Sequence, residues 1–123
     1  VAGRLGLASA IDYALDLGLD TIRDRIYNLA SLLRAGLDGL PSVTICDLGA
    51  EKCGIVSFTV DDYTPAHVKE TMAAQQITVH TSRRASTLLD MTERGIDALI
   101  RASVHYYNTE EEVDRLIGAI ARL

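Results

Sequence analysis

The hydrophobic positions of the first forty residues recur at the three-and-four spacing of helices. Residues 5–17 place four apolar side chains on one helical face, and Gly18 is expected to end this helix because glycine tolerates a left-handed backbone. Asp20 is predicted to be the N-cap of a second helix. Residues 22–37 then form one continuous apolar stripe, which the glycines and proline of residues 36–41 bring to an end.

The period changes to that of strands after residue 42. Residues 43–45 and 54–60 are rich in β-branched side chains, as half-buried strands prefer. The polar connection at residues 47–52 has hairpin length and suggests that these two strands pair antiparallel. Residues 77–80 are predicted to form a third strand and residues 99–106 a fourth, in which apolar and polar positions alternate.

Two further helices have clear starting signals. Thr64 precedes Pro65 at the first helical position, and Thr109 with Glu112 forms a capping box before the last apolar stripe. The segment 81–94 is polar at first and then briefly helical. The element order predicts one α+β domain over residues 1–123, with a small, largely antiparallel sheet and helices packed on one face.

Composition and charge exclude several classes of protein. The chain has 123 residues with 17 Asp+Glu against 12 Lys+Arg, and this acidic balance argues against a nucleic-acid partner. No apolar run is long enough for a membrane span, and no signal peptide is recognisable. Two cysteines, Cys46 and Cys53, suit a cytoplasmic protein and are expected to be buried reduced thiols, although a disulfide across the hairpin is conceivable. Because the chain starts at Val1 inside a helical pattern, we expect it to be a piece of a larger protein.

Few residues in the chain carry recognisable chemistry. The histidines and cysteines lack the spacing of a metal site, and the only two lysines, Lys52 and Lys69, are expected to be solvated rather than to form a Schiff base. Arg101 differs, because an arginine among apolar strand positions is costly to bury without a paired anion. Its planar guanidinium suits a carboxylate, but a surface or salt-bridged arginine is an equal alternative.

The residues around Arg101 resemble a known family. The tripeptide RAS at residues 101–103 and the string YNTEEEVDRL at residues 107–116 are similar to the C-terminal end of class V aminotransferases and the related cysteine desulfurases, which are pyridoxal-phosphate enzymes of fold type I. The resemblance covers essentially the whole chain. It implies that the chain is the small C-terminal domain of a larger cytoplasmic enzyme, and enzymes of this family are typically homodimers. The large domain that would hold the cofactor is not part of this sequence.

The resemblance also assigns candidate site residues. Arg101 matches the family arginine that binds the α-carboxylate of an amino-acid or keto-acid substrate. His80 and Arg83 lie in the segment that lines the site entrance in relatives, and they are further substrate-binding candidates, with solvated loop positions as the alternative. No catalytic, cofactor-binding or metal-binding residue is expected in this fragment. The enzyme's own large domain is the expected partner and would hold pyridoxal 5'-phosphate.

The resemblance leaves the reaction open. An aminotransferase is the first expectation for the parent enzyme, and the isolated fragment is expected to be inactive. Cysteine desulfurase is disfavoured, because Ala85 falls near the place of the family's nucleophilic cysteine and no cysteine follows Cys53. An epimerase or lyase on the same fold is an alternative, and so is a cofactor-free α+β binding module.

Overall fold

The computed structural model describes all of residues 1–123 and contains helices and one sheet in the predicted order. The α+β fold class is confirmed. The elements are α1 (Ala2–Leu17), α2 (Leu19–Asp38), β1 (Val43–Ile45), β2 (Ile55–Val60), α3 (Pro65–Ala74), β3 (His80–Arg83), a 3₁₀ turn (Arg84–Ser86), α4 (Leu88–Glu93), β4 (Ala98–Ser103) and α5 (Glu110–Ile120).

The four strands form one sheet in the order β1-β2-β4-β3, and every neighbouring pair is antiparallel. The predicted hairpin between β1 and β2 is therefore confirmed. The predicted third strand is wrong in its position, because β3 begins at His80 rather than at residue 77. Gln76 has a positive φ of 60°, and the Ile77 amide donates to the Met72 carbonyl. Residues 76 and 77 thus belong to the turn that ends α3.

The hydrophobic core lies on one face of the sheet, as predicted. Alternate residues of β2 and β4 point into it, and α2, α3 and α5 cover them. A separate small cluster lies on the opposite face, where α4 packs Met91 against Cys46 and Leu99. The placement of helices on a single face therefore holds for the three helices that cover the core, and the short α4 is the exception.

The helix ends follow the predicted chemistry except at α2. Thr109 accepts a hydrogen bond from the Glu112 amide, and the Glu112 carboxylate accepts one from the Thr109 amide, which completes the predicted capping box. Asp20 is not the N-cap of α2, because it lies within the first turn. Gly18, at a φ of 87°, ends α1 through its amide and accepts the first hydrogen bond of α2 from Ile22.

Helix α1 has no buried residue and packs mainly beside α2. Its predicted apolar face is therefore largely exposed to solvent in this chain. The exposed apolar side chains of α1 are Leu5, Leu7, Ile11, Tyr13, Leu15 and Leu17. None of the helices combines the length and the apolar composition that crossing a bilayer requires.

An ion pair between α2 and α5 joins the two longest helices of the core layer. The Arg25 guanidinium donates to both carboxylate oxygens of Glu110, and one of these hydrogen bonds measures 2.9 Å. Arg25 also donates to the Asn108 carbonyl at 2.9 Å. The hydrogen bond from Arg25 lowers the pKa of the Glu110 carboxyl to about 2.

This ion pair predicts a pH dependence of stability. Because the folded-state pKa of Glu110 is below its unfolded value of 4.5, the contribution of this carboxylate is present above that pH and is lost as the pH falls toward about 2. We expect Glu110→Gln to lower the melting temperature at pH 7, and we expect this effect to shrink steadily as the pH falls from 4.5 toward 2, as measured by circular dichroism. A difference from wild type that stays constant over this range would contradict the assignment.

Candidate functional site

The sheet face opposite the core carries the polar side chains that alternate with core positions. Arg101 of β4 is the register partner of Ser57 on β2 and of His80 on β3. Partners in register share one face of an antiparallel pair. Strand β4 thus places Arg101 between two polar residues of the adjacent strands. The residues before and after it in the sequence, Ile100 and Ala102, are buried in the core on the other face of the sheet.

Arg101 lines a cavity of about 500 Å³, which we call the Arg101 cavity. Its floor is the sheet, one wall is the loop between β1 and β2, which we call loop 46–54, and the other wall is α4 with the turn before it. The polar and charged lining residues are Arg34, Asp47, Glu51, Lys52, Ser57, Ser82, Thr87, Asp90, Arg94 and Arg101.

Arg101 is the one arginine of this cavity that has no acidic partner. Arg34 pairs with Asp47 at 2.7 Å and Arg94 pairs with Asp90 at 3.2 Å, whereas no ion pair of the chain includes Arg101. The only hydrogen bond of its side chain within the protein is a long one, from Nη1 to the Ser82 hydroxyl at 3.4 Å. A partly buried guanidinium without an acidic partner is suited to bind a carboxylate from outside the chain, to which its N–H groups can donate.

Asp47, an acidic residue of loop 46–54 that lines the cavity, already has hydrogen-bond partners within the protein. Its carboxylate accepts hydrogen bonds from Arg34 Nε, from the Ser57 amide at 2.9 Å and from the Ser57 hydroxyl. Burial raises the pKa of the Asp47 carboxyl, but the hydrogen bonds from Ser57 and Arg34 outweigh this effect and lower it overall. Asp47 therefore stays ionised and is not a free base for catalysis.

The second wall is tied to loop 46–54 through Arg94, which follows α4. Its Nη2 donates to the Cys46 carbonyl at 2.6 Å. Cys46 is buried, as predicted, and burial raises the pKa of its thiol. The prediction that Cys53 is buried is wrong, because this residue lies exposed in the polar loop at the cavity wall. The two cysteines do not form a disulfide.

The structure separates the three substrate-binding residues predicted from the sequence. His80 is exposed and shares the register of Arg101, but it lines a neighbouring cavity with Ser103 and His105. Arg83 is exposed and is the register partner of Ala98, so it lies on the other face of β3 and lines a third cavity. Only Arg101 lies in the cavity described above, and the roles of all three residues stay predictions.

Sequence reasoning missed Arg34, Asp47 and Ser57. Their hydrogen bonds connect α2, loop 46–54 and β2, and no local spacing announces such a contact. The only signal in the sequence is an acidic residue two positions after the first hairpin strand, and acidic residues are also common in solvated turns.

The two lysines of the chain are not placed to form a Schiff base with pyridoxal phosphate. Lys52 donates to the Asp47 carbonyl at 3.0 Å and is thereby committed to the loop, and Lys69 is exposed on α3. Neither lysine lies in the arrangement that a Schiff base with pyridoxal phosphate requires, which is a desolvated amine in a closed pocket. That the fragment binds no cofactor remains a prediction.

Comparisons with known proteins identify the family of the chain. The sequence model of the family described as aminotransferase class-V matches residues 1–116. A cysteine desulfurase of Salmonella agona (strain SL483) is 34% identical over 121 residues, which are 98% of this chain and 29% of the relative. The chain therefore spans under a third of the length of that relative.

Solved structures give the same result for the fold. The apo structure of cysteine desulfurase from Thermococcus onnurineus NA1 matches with a TM-score of 0.88 and 31% identity, covering 95% of this chain and 29% of that one. The cystine C-S lyase C-DES, solved in complex with its reaction product cysteine persulfide, matches with a TM-score of 0.65 and 30% identity, covering 80% of this chain and 23% of that one.

These findings overturn the expectation that cysteine desulfurase is disfavoured, which was wrong. It rested on Ala85, an exposed residue of the 3₁₀ turn, and on the absence of a cysteine after Cys53. The similarity to cysteine desulfurases extends over 98% of the chain. One exposed side chain changes without disturbing the packing that a whole domain shares, so its identity does not decide to which proteins the chain is related.

Proposed function

The chain belongs to the class-V aminotransferase family, and we propose that it is the C-terminal small domain of a larger pyridoxal-phosphate enzyme in which Arg101 binds the α-carboxylate of the substrate. The observation that carries this proposal is the unpaired state of Arg101 in a cavity where the other arginines have carboxylate partners. A charge-assisted bidentate contact with the substrate carboxylate would give Arg101 the kind of partner that the other two arginines already have.

The position of Arg101 on the sheet supports this role. It lies in the central strand, hydrogen-bonded to β2 on one side and to β3 on the other. A group on a doubly paired strand moves little, so it can hold a carboxylate in one orientation while the rest of the substrate reacts. The open side of the cavity would then face the remainder of the enzyme.

The division of labour between this chain and the rest of the enzyme follows from the residues present. Pyridoxal phosphate, when bound, supplies an electron sink for the bonds at the substrate α-carbon. This chain would contribute the carboxylate contact and the walls of the Arg101 cavity, which exclude water when the two domains close. The lysine and phosphate contacts of the cofactor would belong to the part of the enzyme outside this chain.

We propose a sulfur-containing amino acid as the substrate. The support is that related proteins are described as cysteine desulfurases and as a cystine C-S lyase. Transfer of the sulfur of L-cysteine to a thiol acceptor converts that thiol into a persulfide and leaves alanine. Elimination instead breaks the C–S bond, releases sulfide from L-cysteine or cysteine persulfide from L-cystine, and with the addition of water leaves pyruvate and ammonia. Product analysis of the complete enzyme with L-cysteine and with L-cystine therefore separates the two reactions, and turnover of neither compound would contradict this substrate class.

The exposed apolar surface of α1 supports the proposal that a further domain packs against this chain. A helix that is apolar over most of its circumference is buried in folded proteins, and five large aliphatic side chains of α1 are exposed here. An isolated chain would leave this surface in water. The large domain of the same enzyme is the occupant that we propose for it.

We expect Arg101→Gln, made in the complete enzyme, to reduce kcat/KM for the amino-acid substrate by about 100-fold, because a lost charge-assisted hydrogen bond costs about 3 kcal/mol. The matched control is Arg122→Gln, which removes an exposed arginine from the chain's last residues. Steady-state kinetics measure both. A value of kcat/KM within about two-fold of wild type for Arg101→Gln would refute the carboxylate assignment, since each factor of ten corresponds to about 1.4 kcal/mol.

The proposal for α1 predicts how the isolated chain behaves. We expect the chain of residues 1–123 to bind the dye ANS, and deletion of residues 1–17 to reduce that binding while the far-ultraviolet circular dichroism keeps the signal of the remaining elements. The reason is that α1 contributes exposed apolar area but no buried core residue. Unchanged ANS binding after the deletion, or loss of the whole fold, would count against the proposal.

A further inference from the structure

Loop 46–54 forms a wall of the Arg101 cavity but has no helix or strand of its own. Several of its side chains are exposed, and Gly49 has a positive φ of 82°. Nine residues without regular structure would ordinarily sample many conformations. Whatever holds this loop in one conformation also fixes the shape of the cavity.

One guanidinium from α2 ties both ends of the loop. Arg34 donates from Nε to the Asp47 carboxylate at 2.7 Å, near the start of the loop. Its Nη2 donates to the carbonyl of Cys53 at 2.7 Å and to that of Ile55 at 2.9 Å, where the loop ends and β2 begins. The side chains of Arg34 and Asp47 are 14% and 10% exposed, so this is the most buried ion pair of the chain.

Asp47 also connects the loop to the floor of the cavity. Its second carboxylate oxygen accepts the Ser57 amide at 2.9 Å and the Ser57 hydroxyl. Ser57 is the register partner of Arg101. The carboxylate therefore accepts hydrogen bonds from both α2 and β2, and β2 is the strand next to the one that carries Arg101.

Loss of the carboxylate would have a large local effect. Arg34 would remain largely buried without its anion, and the Ser57 amide would lose its acceptor, and both changes are costly. The carbonyl contacts at Cys53 and Ile55 would persist only while Arg34 kept its present position. The wall of the cavity would then sample open conformations that the wild-type chain does not populate.

We propose that Asp47 is a positioning residue for the substrate: through Arg34 and Ser57 it holds loop 46–54 as a preformed wall of the Arg101 cavity. The inference rests on the proposed function, because it assumes that the substrate binds in this cavity. It assigns no chemical step to Asp47. The residue keeps the binding-competent conformation populated before the substrate arrives.

The test compares Asp47→Ala and Asp47→Asn in the complete enzyme. If the loop is closed for only a tenth of the time in Asp47→Ala, KM for L-cysteine rises about ten-fold, while kcat stays within about two-fold because the closed state still reacts normally. Asp47→Asn keeps a neutral acceptor for Ser57, so its KM is expected to lie between those of wild type and Asp47→Ala.

Amide hydrogen exchange supplies a readout that is independent of activity. We expect residues 47–54 to exchange faster in both variants, while the core strands keep their protection. Glu110→Gln is the control, since it breaks the Arg25 ion pair between α2 and α5, away from the Arg101 cavity. It is expected to lower the melting temperature without changing KM or exchange in the loop.

The outcomes separate this inference from the proposed function. Unchanged exchange in loop 46–54 overturns the inference whatever the kinetics show, and so does faster exchange with an unchanged KM when Arg101→Gln raises KM. If Arg101→Gln leaves the kinetics unchanged, the proposed function fails, and the positioning role of Asp47 toward substrate fails with it. If Asp47→Ala does not fold, Asp47→Asn gives the same readouts.

Discussion

The structure depends on the position of β4 between two antiparallel neighbours. The register with β2 and β3 fixes which side chains face the core and which face the cavity. Ile100 and Ala102 complete the core, and Arg101 between them faces the opposite side. A shift of one residue would move the guanidinium into the core and the aliphatic side chains into the cavity, so core packing itself enforces the position of the arginine.

Local chemistry explains which parts of the fold could be predicted. The spacing of hydrophobic residues and the presence of capping residues are properties of short stretches of sequence. The hairpin of β1 and β2 and the capping box of α5 could therefore be predicted. The start of β3 did not, because the left-handed backbone of Gln76 keeps the chain in the turn after α3 despite three β-favouring residues that follow. The position of α4 depends on packing with Cys46, a contact between distant residues that no periodicity reveals.

The same distinction applies to the site. Arg101 could be found, because alternation along one strand and a family resemblance both concern neighbouring residues. Arg34 and Asp47 could not, since they meet only after α2 and the hairpin have packed together. Arg83 and Arg101 are both arginines on paired strands, but their register positions differ in parity, and this alone places Arg83 on the other face.

Arg101 differs from the other two arginines of the cavity in the partners that the chain supplies to it. Removing a guanidinium from water is unfavourable unless an anion or several acceptors replace the lost hydration. The chain supplies such partners to Arg34 and Arg94, each with a carboxylate and a backbone carbonyl. It supplies Arg101 with one long contact to a hydroxyl. Asp47 already accepts hydrogen bonds from Arg34 and Ser57 and forms none with Arg101, which is why the carboxylate of a bound molecule is the partner that we propose for Arg101.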